Sequence, residues 1–317
     1  MNKNHLRQPN RIGSKSAALV VLIISLAIVG GNGNAAAWQK YESAGHGKAA
    51  DQTRDYSFNN RQILPGRVKT NTLVPAGPTA EGGHPSVAVI IDDFGNNMRG
   101  TEEMLELPIK LTVAVMPFLS TSEADARRAH ERGFDVLVHL PMEPRNGKRE
   151  WLGPGVIRSD MSDEEIRKSV EAAIDEVPYA IGINNHMGSK VTGDERVMRA
   201  VLSVCKERGL FFVDSHTNYR SVAGRVAEQM GLPRVENHVF LDDAHTARHV
   251  TRQLQLAGKR ALDDHYCVTI GHVGIQGKET AAGIRGGIKE LKNHVQFIGI
   301  SDLVKKEWNW NPEPTIP

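Results

Sequence analysis

Five apolar segments of this chain end in side chains that can do chemistry. Residues 87–91 run into Asp92-Asp93, and 136–138 into His139. Residues 181–183 run into Asn184-Asn185-His186, 211–213 into Asp214-Ser215-His216, and 268–270 into Gly271-His272. Imidazole and carboxylate donors without a thiolate suit Zn²⁺, with Mn²⁺, Co²⁺, Ni²⁺ or Fe²⁺ also served by such a set. Three protein ligands and one open position make a catalytic site that activates water and polarises a carbonyl. A strand-end Asp is also an ordinary helix N-cap, but capping does not account for His139, His186 and His272 together. The adjacent Asp92 and Asp93 pose a geometric question, because successive strand residues point to opposite faces. Both face one site only if the strand ends there and Phe94-Gly95 turns the chain, which Gly95 permits. Neighbouring carboxylates do not suit the roughly 5–9.5 Å separation that glycosidases use. They suit one metal ligand beside one base, or one such group beside a cap for a helix starting near Met98.

Such groups meet only if the segments carrying them are parallel strands whose C-terminal ends share a rim. The apolar runs support that arrangement. Strands are expected at 87–92, 110–116, 135–140, 180–184, 210–214, 238–241, 266–271 and 295–300. Most are continuous apolar runs, as in strands buried on both faces. Amphipathic helices are expected between them at 122–132, 162–176, 194–208, 244–258 and 280–294. The second opens on the capping box Ser162-Asp-Glu-Glu165, and the third stops at Gly209. Strand and helix alternating over more than 200 residues mean an α/β fold, either a (β/α) barrel or an open doubly wound sheet.

The rest of the chain reads differently. Among its 317 residues, 39 are Lys or Arg and 37 Asp or Glu, a formal charge of +2. Lys3, Arg7, Arg11 and Lys15 fall within residues 1–37, which hold no acid, so the remainder carries 35 basic against 37 acidic groups. That first segment has a basic start, an apolar run over 17–29 and the triplet Ala35-Ala36-Ala37, the parts of a secretory signal peptide cut after Ala37. An uncleaved anchor is the alternative, and only then would the chain touch a membrane. Either way the body is exported, with the periplasm as its expected compartment. Residues 38–85 lack hydrophobic period and read as a flexible linker. Two cysteines, Cys205 and Cys267, are too few for a disulfide scaffold and are expected as buried thiols, with one disulfide as the alternative. Lys148, Arg149 and Trp151 lie in a loop that could line a substrate groove. Nucleic acid is excluded as a partner, since no basic cluster interleaves with aromatics and aromatics make up only 5 %.

Over about residues 86–305 the chain resembles the divergent polysaccharide deacetylase family, a branch of the carbohydrate esterase deacetylases. Six segments carry the resemblance: Ile90-Ile-Asp-Asp-Phe-Gly95, His139-Leu-Pro-Met-Glu143, Gly182-Ile-Asn-Asn-His-Met-Gly-Ser189, Phe212-Val-Asp-Ser215, Val239-Phe-Leu-Asp-Asp243 and Ile270-Gly-His272. The resemblance implies a distorted (β/α) barrel of about seven parallel strands, followed here by a tail over 306–317. It implies a divalent metal, usually zinc, held by one Asp and two His, with a neighbouring Asp as general base and a late His as general acid. Carried over, Asp92 is the base, Asp93 and His139 are metal ligands, and His272 is the acid.

Two departures stand out. The family's second ligand histidine lies four residues after the first, where this chain has Glu143, so the third ligand is expected from His186, with Glu143 the alternative. The usual arginine-proline motif after the fourth strand is absent, which leaves Asp214 as the candidate partner of His272. Asn185, Ser215 and Glu143 are the candidate substrate contacts. The expected function is metal-dependent N- or O-deacetylation of a cell-envelope glycan. A non-catalytic glycan- or protein-binding member that keeps the barrel, and a different metal-assisted hydrolase, are the rival readings.

Overall fold

The computed structural model describes residues 84–147 and 152–316. The segment 1–37, nearly all of the linker, and Lys148, Arg149 and Trp151 lie outside the described residues. In chain order the elements are β1 (Ser86–Phe94), α1 (Thr101–Leu105), β2 (Thr112–Val115), α2 (Ser122–Glu131), β3 (Asp135–Met142) and α3 (Asp163–Glu176). They continue with β4 (Ala180–Met187), α4 (Glu195–Glu207), β5 (Phe211–Asp214), α5 (Ala223–Gln229), β6 (Val235–Glu236) and β7 (Val239–Phe240). The last are α6 (Ala247–Asp264), β8 (Tyr266–His272), α7 (Gly277–Leu291), β9 (Gln296–Ile298) and α8 (Ile300–Trp308). All eight expected strands are present, together with the two-residue β6, whose length gives no periodic signal.

The strands pair in parallel in the order β6-β5-β4-β3-β2-β1-β8-β7. β9 joins the start of β1, on the edge that β2 uses further along. The sheet curls into a distorted (β/α) barrel. Its two ends are linked by one short stretch of chain: β6 pairs with β5, and three residues later β7 pairs with β8. Alternation along each strand builds two apolar layers. Val87, Val89 and Ile91 pack outward against the helices, whereas Ala88 and Ile90 face the barrel interior with Leu137, Phe211, Val213, Val268 and Ile270. The helices start as their sequences dictate. Ser162 Oγ accepts the Glu165 N–H, and Glu165 accepts the Ser162 N–H at 2.8 Å. Cys205 and Cys267 are free, buried thiols, and burial pushes both up to about 12. Among the described residues no helix is long and apolar enough to cross a membrane.

The foot of the barrel is closed by the C-terminus. Ile300, Leu303 and Val304 of α8 insert into the interior layer. The residues beyond Trp308, which fall in the expected tail over 306–317, are hydrogen-bonded along the foot. Thr315 N–H donates to Ala180 O at 2.9 Å, Tyr179 N–H donates to Thr315 O at 3.0 Å, and Glu313 N–H donates to Gly209 O at 3.1 Å. Trp310 packs against both apolar layers. Trp310→Ala should therefore lower unfolding free energy by about 2 kcal/mol, less than a fully buried Trp because the residue is only partly buried. An unchanged urea midpoint would show the tail to be dispensable.

Candidate metal centre

The alternation that builds the core also delivers the polar groups. Counting on from Ala88 and Ile90, Asp92 faces the interior, and counting on from Val268 and Ile270, so does His272. The register sets Asp92 beside His272 across β1 and β8. Leu137 places His139 on the same side of β3, and the β3–β4 register sets His139 beside Asn184 and Pro141 beside His186. Asp93 breaks the alternation. Its φ of 71° lies in the left-handed region, and the β1–β2 register shifts between Ile91 and Phe94. That kink turns the Asp93 carboxylate to the same side as Asp92, at a backbone cost of about 1–3 kcal/mol. The turn thus begins at Asp93 itself, and Gly95, at φ 120°, completes it. A Cβ on Gly95 would lie 2.8 Å from Met116 O. Gly95→Ala should destabilise the protein by more than about 1 kcal/mol, read as a lower urea midpoint at unchanged slope.

Three donor atoms converge. His139 Nε2 lies 3.1 Å from His186 Nδ1 and 3.3 Å from Asp93 Oδ1, and His186 Nδ1 lies 3.2 Å from Asp93 Oδ1. Among the described residues these form the one group of three or more His, Cys, Asp or Glu whose ligand atoms close on a common point. Tetrahedral Zn²⁺ with bonds of ~2.0–2.1 Å needs donors about 3.3–3.4 Å apart, so this triangle is close to the right size. Asp93 Oδ1 is buried and has no hydrogen-bond partner of acceptable geometry, the condition of an atom whose proper partner is a cation. The donor set therefore fits a divalent metal.

Around the triangle stand two further groups. Asp92 is buried, and its Oδ2 lies 3.7 Å from His139 Nδ1. Burial raises its carboxyl; the charges of His139 and His272 oppose this without cancelling it. Burial also raises Asp93, but contacts with His139 and His186 outweigh it and hold Asp93 well below the usual carboxylate range. Burial lowers His139, and the Asp92 and Asp93 carboxylates more than offset that, so its ring lies above the ordinary range. His272 Nδ1 donates to Asp242 Oδ1 at 2.9 Å, its backbone N–H donates to Asp242 Oδ2 at 2.8 Å, and Thr280 Oγ donates to the same Oδ2 at 2.9 Å. Burial alone would lower His272, but Asp242 above all, then Asp93 and Asp92, carry it up to about 10. Phe240 stacks on the His272 ring at 6.2 Å.

The expected site residues divide accordingly. Asp92, Asp93, His139, His186 and His272 are brought together. Ser215 joins them, with its Oγ 3.4 Å from Asn184 Nδ2. Asp214 does not reach His272. Phe211 and Val213 take the inward positions of β5, so Asp214 faces the other way, and its Oδ1 accepts the His216 N–H at 2.9 Å. Asp242 fills the role assigned to Asp214. Asn185 is likewise on the outward side of β4: its Oδ1 accepts the Ser215 N–H, and its Nδ2 donates to Met187 O and Thr217 Oγ1. At 1 % exposure it is buried under the rim loops, which these bonds brace. Glu143 ends in the loop beyond β3, where Oε1 pairs with Lys190 Nζ at 2.8 Å and Oε2 accepts from Ser159 N and Oγ at 2.9 and 2.8 Å. It stands outside the donor triangle. Two residues were not singled out by sequence. Asn184 shares the inward parity of His186, a signal available in the alternation. Asp242 follows a strand too short to reveal its register.

Comparisons with known proteins bear on the family and the fold. Residues 89–304 match the family model described as divergent polysaccharide deacetylase. An uncharacterized protein of Haemophilus influenzae is 32 % identical over 230 residues, which cover 73 % of this chain and 80 % of that protein. The uncharacterized Escherichia coli protein YibQ is 36 % identical over 186 residues, covering 59 % of this chain and 58 % of its own. The crystal structure of an uncharacterized protein from Agrobacterium tumefaciens superposes with a TM-score of 0.66 at 19 % identity, over 72 % of this chain and 93 % of that one, a likeness of fold.

Proposed function

The chain belongs to the divergent polysaccharide deacetylase family, and from that premise we propose that it is a metal-dependent hydrolase of N- or O-acetyl groups on a cell-envelope polysaccharide. The observation that carries the proposal is the grouping of the Asp93–His139–His186 triangle with Asp92 on one flank and the Asp242-held His272 on the other. Asp93, His139 and His186 would hold a divalent metal, zinc by the chemistry of the donors, which when bound supplies Lewis-acid polarisation of the acyl carbonyl.

The chain's own groups supply the proton transfers. Asp92, an acceptor once ionised, takes a proton from the attacking water at its carboxylate. Burial keeps that carboxyl above the ordinary range, closer to the working pH of a general base. His272 uses Nδ1 to hold Asp242, which leaves Nε2–H to protonate the departing amine or alkoxide as the carbon–nitrogen or carbon–oxygen bond breaks. Asp242 keeps the ring charged and fixes its direction. Phe240, stacked on the ring, limits its rotation. The basic, apolar, small-residue order of residues 1–37 supports export to the periplasm, where such a glycan lies.

The test is release of acetate from acetylated envelope glycans by the zinc-loaded protein, with and without a chelator. Chelator-sensitive release is the expected result. Glycan binding with no acetate released from any such polymer would replace this reading with a non-catalytic one.

A further inference from the structure

We infer that Asn184 is a positioning residue that joins the base to the metal triangle: one amide anchors Asp92 and fixes which nitrogen of His139 is bare. The inference rests on the reading of that triangle as a metal site. Asn184 is fully buried, in the position of β4 that faces His139. Its Nδ2 lies 2.8 Å from Asp92 Oδ1, and its Oδ1 lies 2.9 Å from His139 Nδ1.

The order of protons follows from the chemistry of these atoms. An ionised carboxylate only accepts hydrogen bonds, so the group facing Asp92 Oδ1 must be the NH₂ end of the amide. The other end, facing His139, is then the carbonyl oxygen, which also only accepts. His139 must meet it with Nδ1–H. A neutral imidazole carries one proton, so Nε2 is left with its lone pair aimed at Asp93 Oδ1 and His186 Nδ1. A carboxylate two hydrogen bonds away, its other oxygen 3.7 Å from the same Nδ1, thus sets the tautomer that a metal ligand needs. An amide suits this place because it offers one donor end and one acceptor end and does not titrate. A carboxylate there would place two acceptors face to face, and a guanidinium would face His139 Nδ1–H with another donor.

Two variants separate the halves of the role. N184D keeps an acceptor for His139 and removes the donor to Asp92. N184L removes both. In the metal-free protein, at a pH where the His139 ring is neutral, ¹⁵N NMR should show wild-type His139 and N184D as the Nδ1–H tautomer, and N184L as a mixture. Zinc affinity, read by competition with a chromophoric chelator, should fall about 10–100-fold in N184L, the usual scale for a group that orients a ligand histidine. It should persist in N184D while acetate release falls. A wild-type His139 protonated on Nε2 overturns the inference without any variant, which covers the case of N184L failing to fold. Equal loss of zinc affinity in both folded variants overturns it as well. The tautomer is read without metal or substrate, so it decides the role of Asn184 even if the wild-type protein releases no acetate.

Discussion

His186→Ala leaves the protein folded and unable to retain stoichiometric zinc, while Glu143→Gln retains it. This is the expected result of metal analysis on protein stripped with chelator and reloaded, and it separates the two residues that sequence offered as third ligand. The reason is where each strand sends its side chain. His186 follows His139 in register, two residues on from Asn184 along β4, and its Nδ1 closes the triangle with Asp93 and His139. Glu143 lies past the end of β3, and both its carboxylate oxygens are engaged by Lys190 and Ser159. Lys190, and to a lesser degree Ser159, overcome the effect of burial and hold Glu143 below the ordinary carboxylate range, as an anion already paired. Losing one of three protein donors should weaken zinc by more than the ~10–100-fold that an orienting group commands. Acetate release should fall to background in His186→Ala, since a site with two protein donors neither holds nor orients the ion. Wild-type metal content together with wild-type activity in that variant would dismiss the site. Loss of metal in Glu143→Gln alone would move the third ligand to Glu143, just past β3.

How much of this was legible beforehand depends on strand length. β1, β3, β4 and β8 are seven to nine residues long, enough for apolar runs to declare them and for alternation to say which polar residue points inward. Asp92, His139 and His272 follow from that alone; His186 does not, because β4 shifts register against β3 after Val136 and places both Ile181 and Asn184 on the inner side. Asp93 needed more, because adjacent strand residues should diverge, and only the left-handed φ of Asp93 turns both carboxylates inward. Where strands are two residues long, alternation says nothing. β7 is Val239–Phe240, so no periodicity could show that Asp242 lies beside His272; the pairing of Phe240 with Ile270 does. The same limit made Asp214 look like the partner of His272. Asp214 ends a clear strand and Asp242 does not, but β5 faces His272 from across the barrel and presents Asp214 outward. The missing arginine-proline motif was readable as an absence, whereas what replaced it, a neutral amide shared between base and ligand, required the register of β3 against β4.

Asp242→Asn should lower kcat/KM for acetate release by about 10³-fold, within the ~10²–10⁴ range for a general acid, and move the alkaline limb of the pH profile down. Asp242 holds the imidazole by Nδ1 and supplies the largest push toward the charged ring, which otherwise loses to burial. With that carboxylate in place His272 rises to about 10, so the ring is protonated across neutral pH and activity fades only as pH climbs through its value. The sign follows from the role: a general acid works in its protonated form, so lowering its pKa removes activity first from the alkaline side. Asparagine leaves an amide in hydrogen-bond range but no charge, and burial then pulls His272 down toward or below the ordinary imidazole range. The variant should lose most activity at pH 9 and least at pH 6, with KM little changed. The acid limb, which belongs to Asp92, should stay where it was. Asp214→Asn is the control, since Asp214 contacts His216 and the rim and not His272. It should leave the alkaline limb in place. A profile that moves in Asp214→Asn and not in Asp242→Asn would reverse the assignment, and a uniform loss with no change of shape would make Asp242 a packing residue that does not tune the acid.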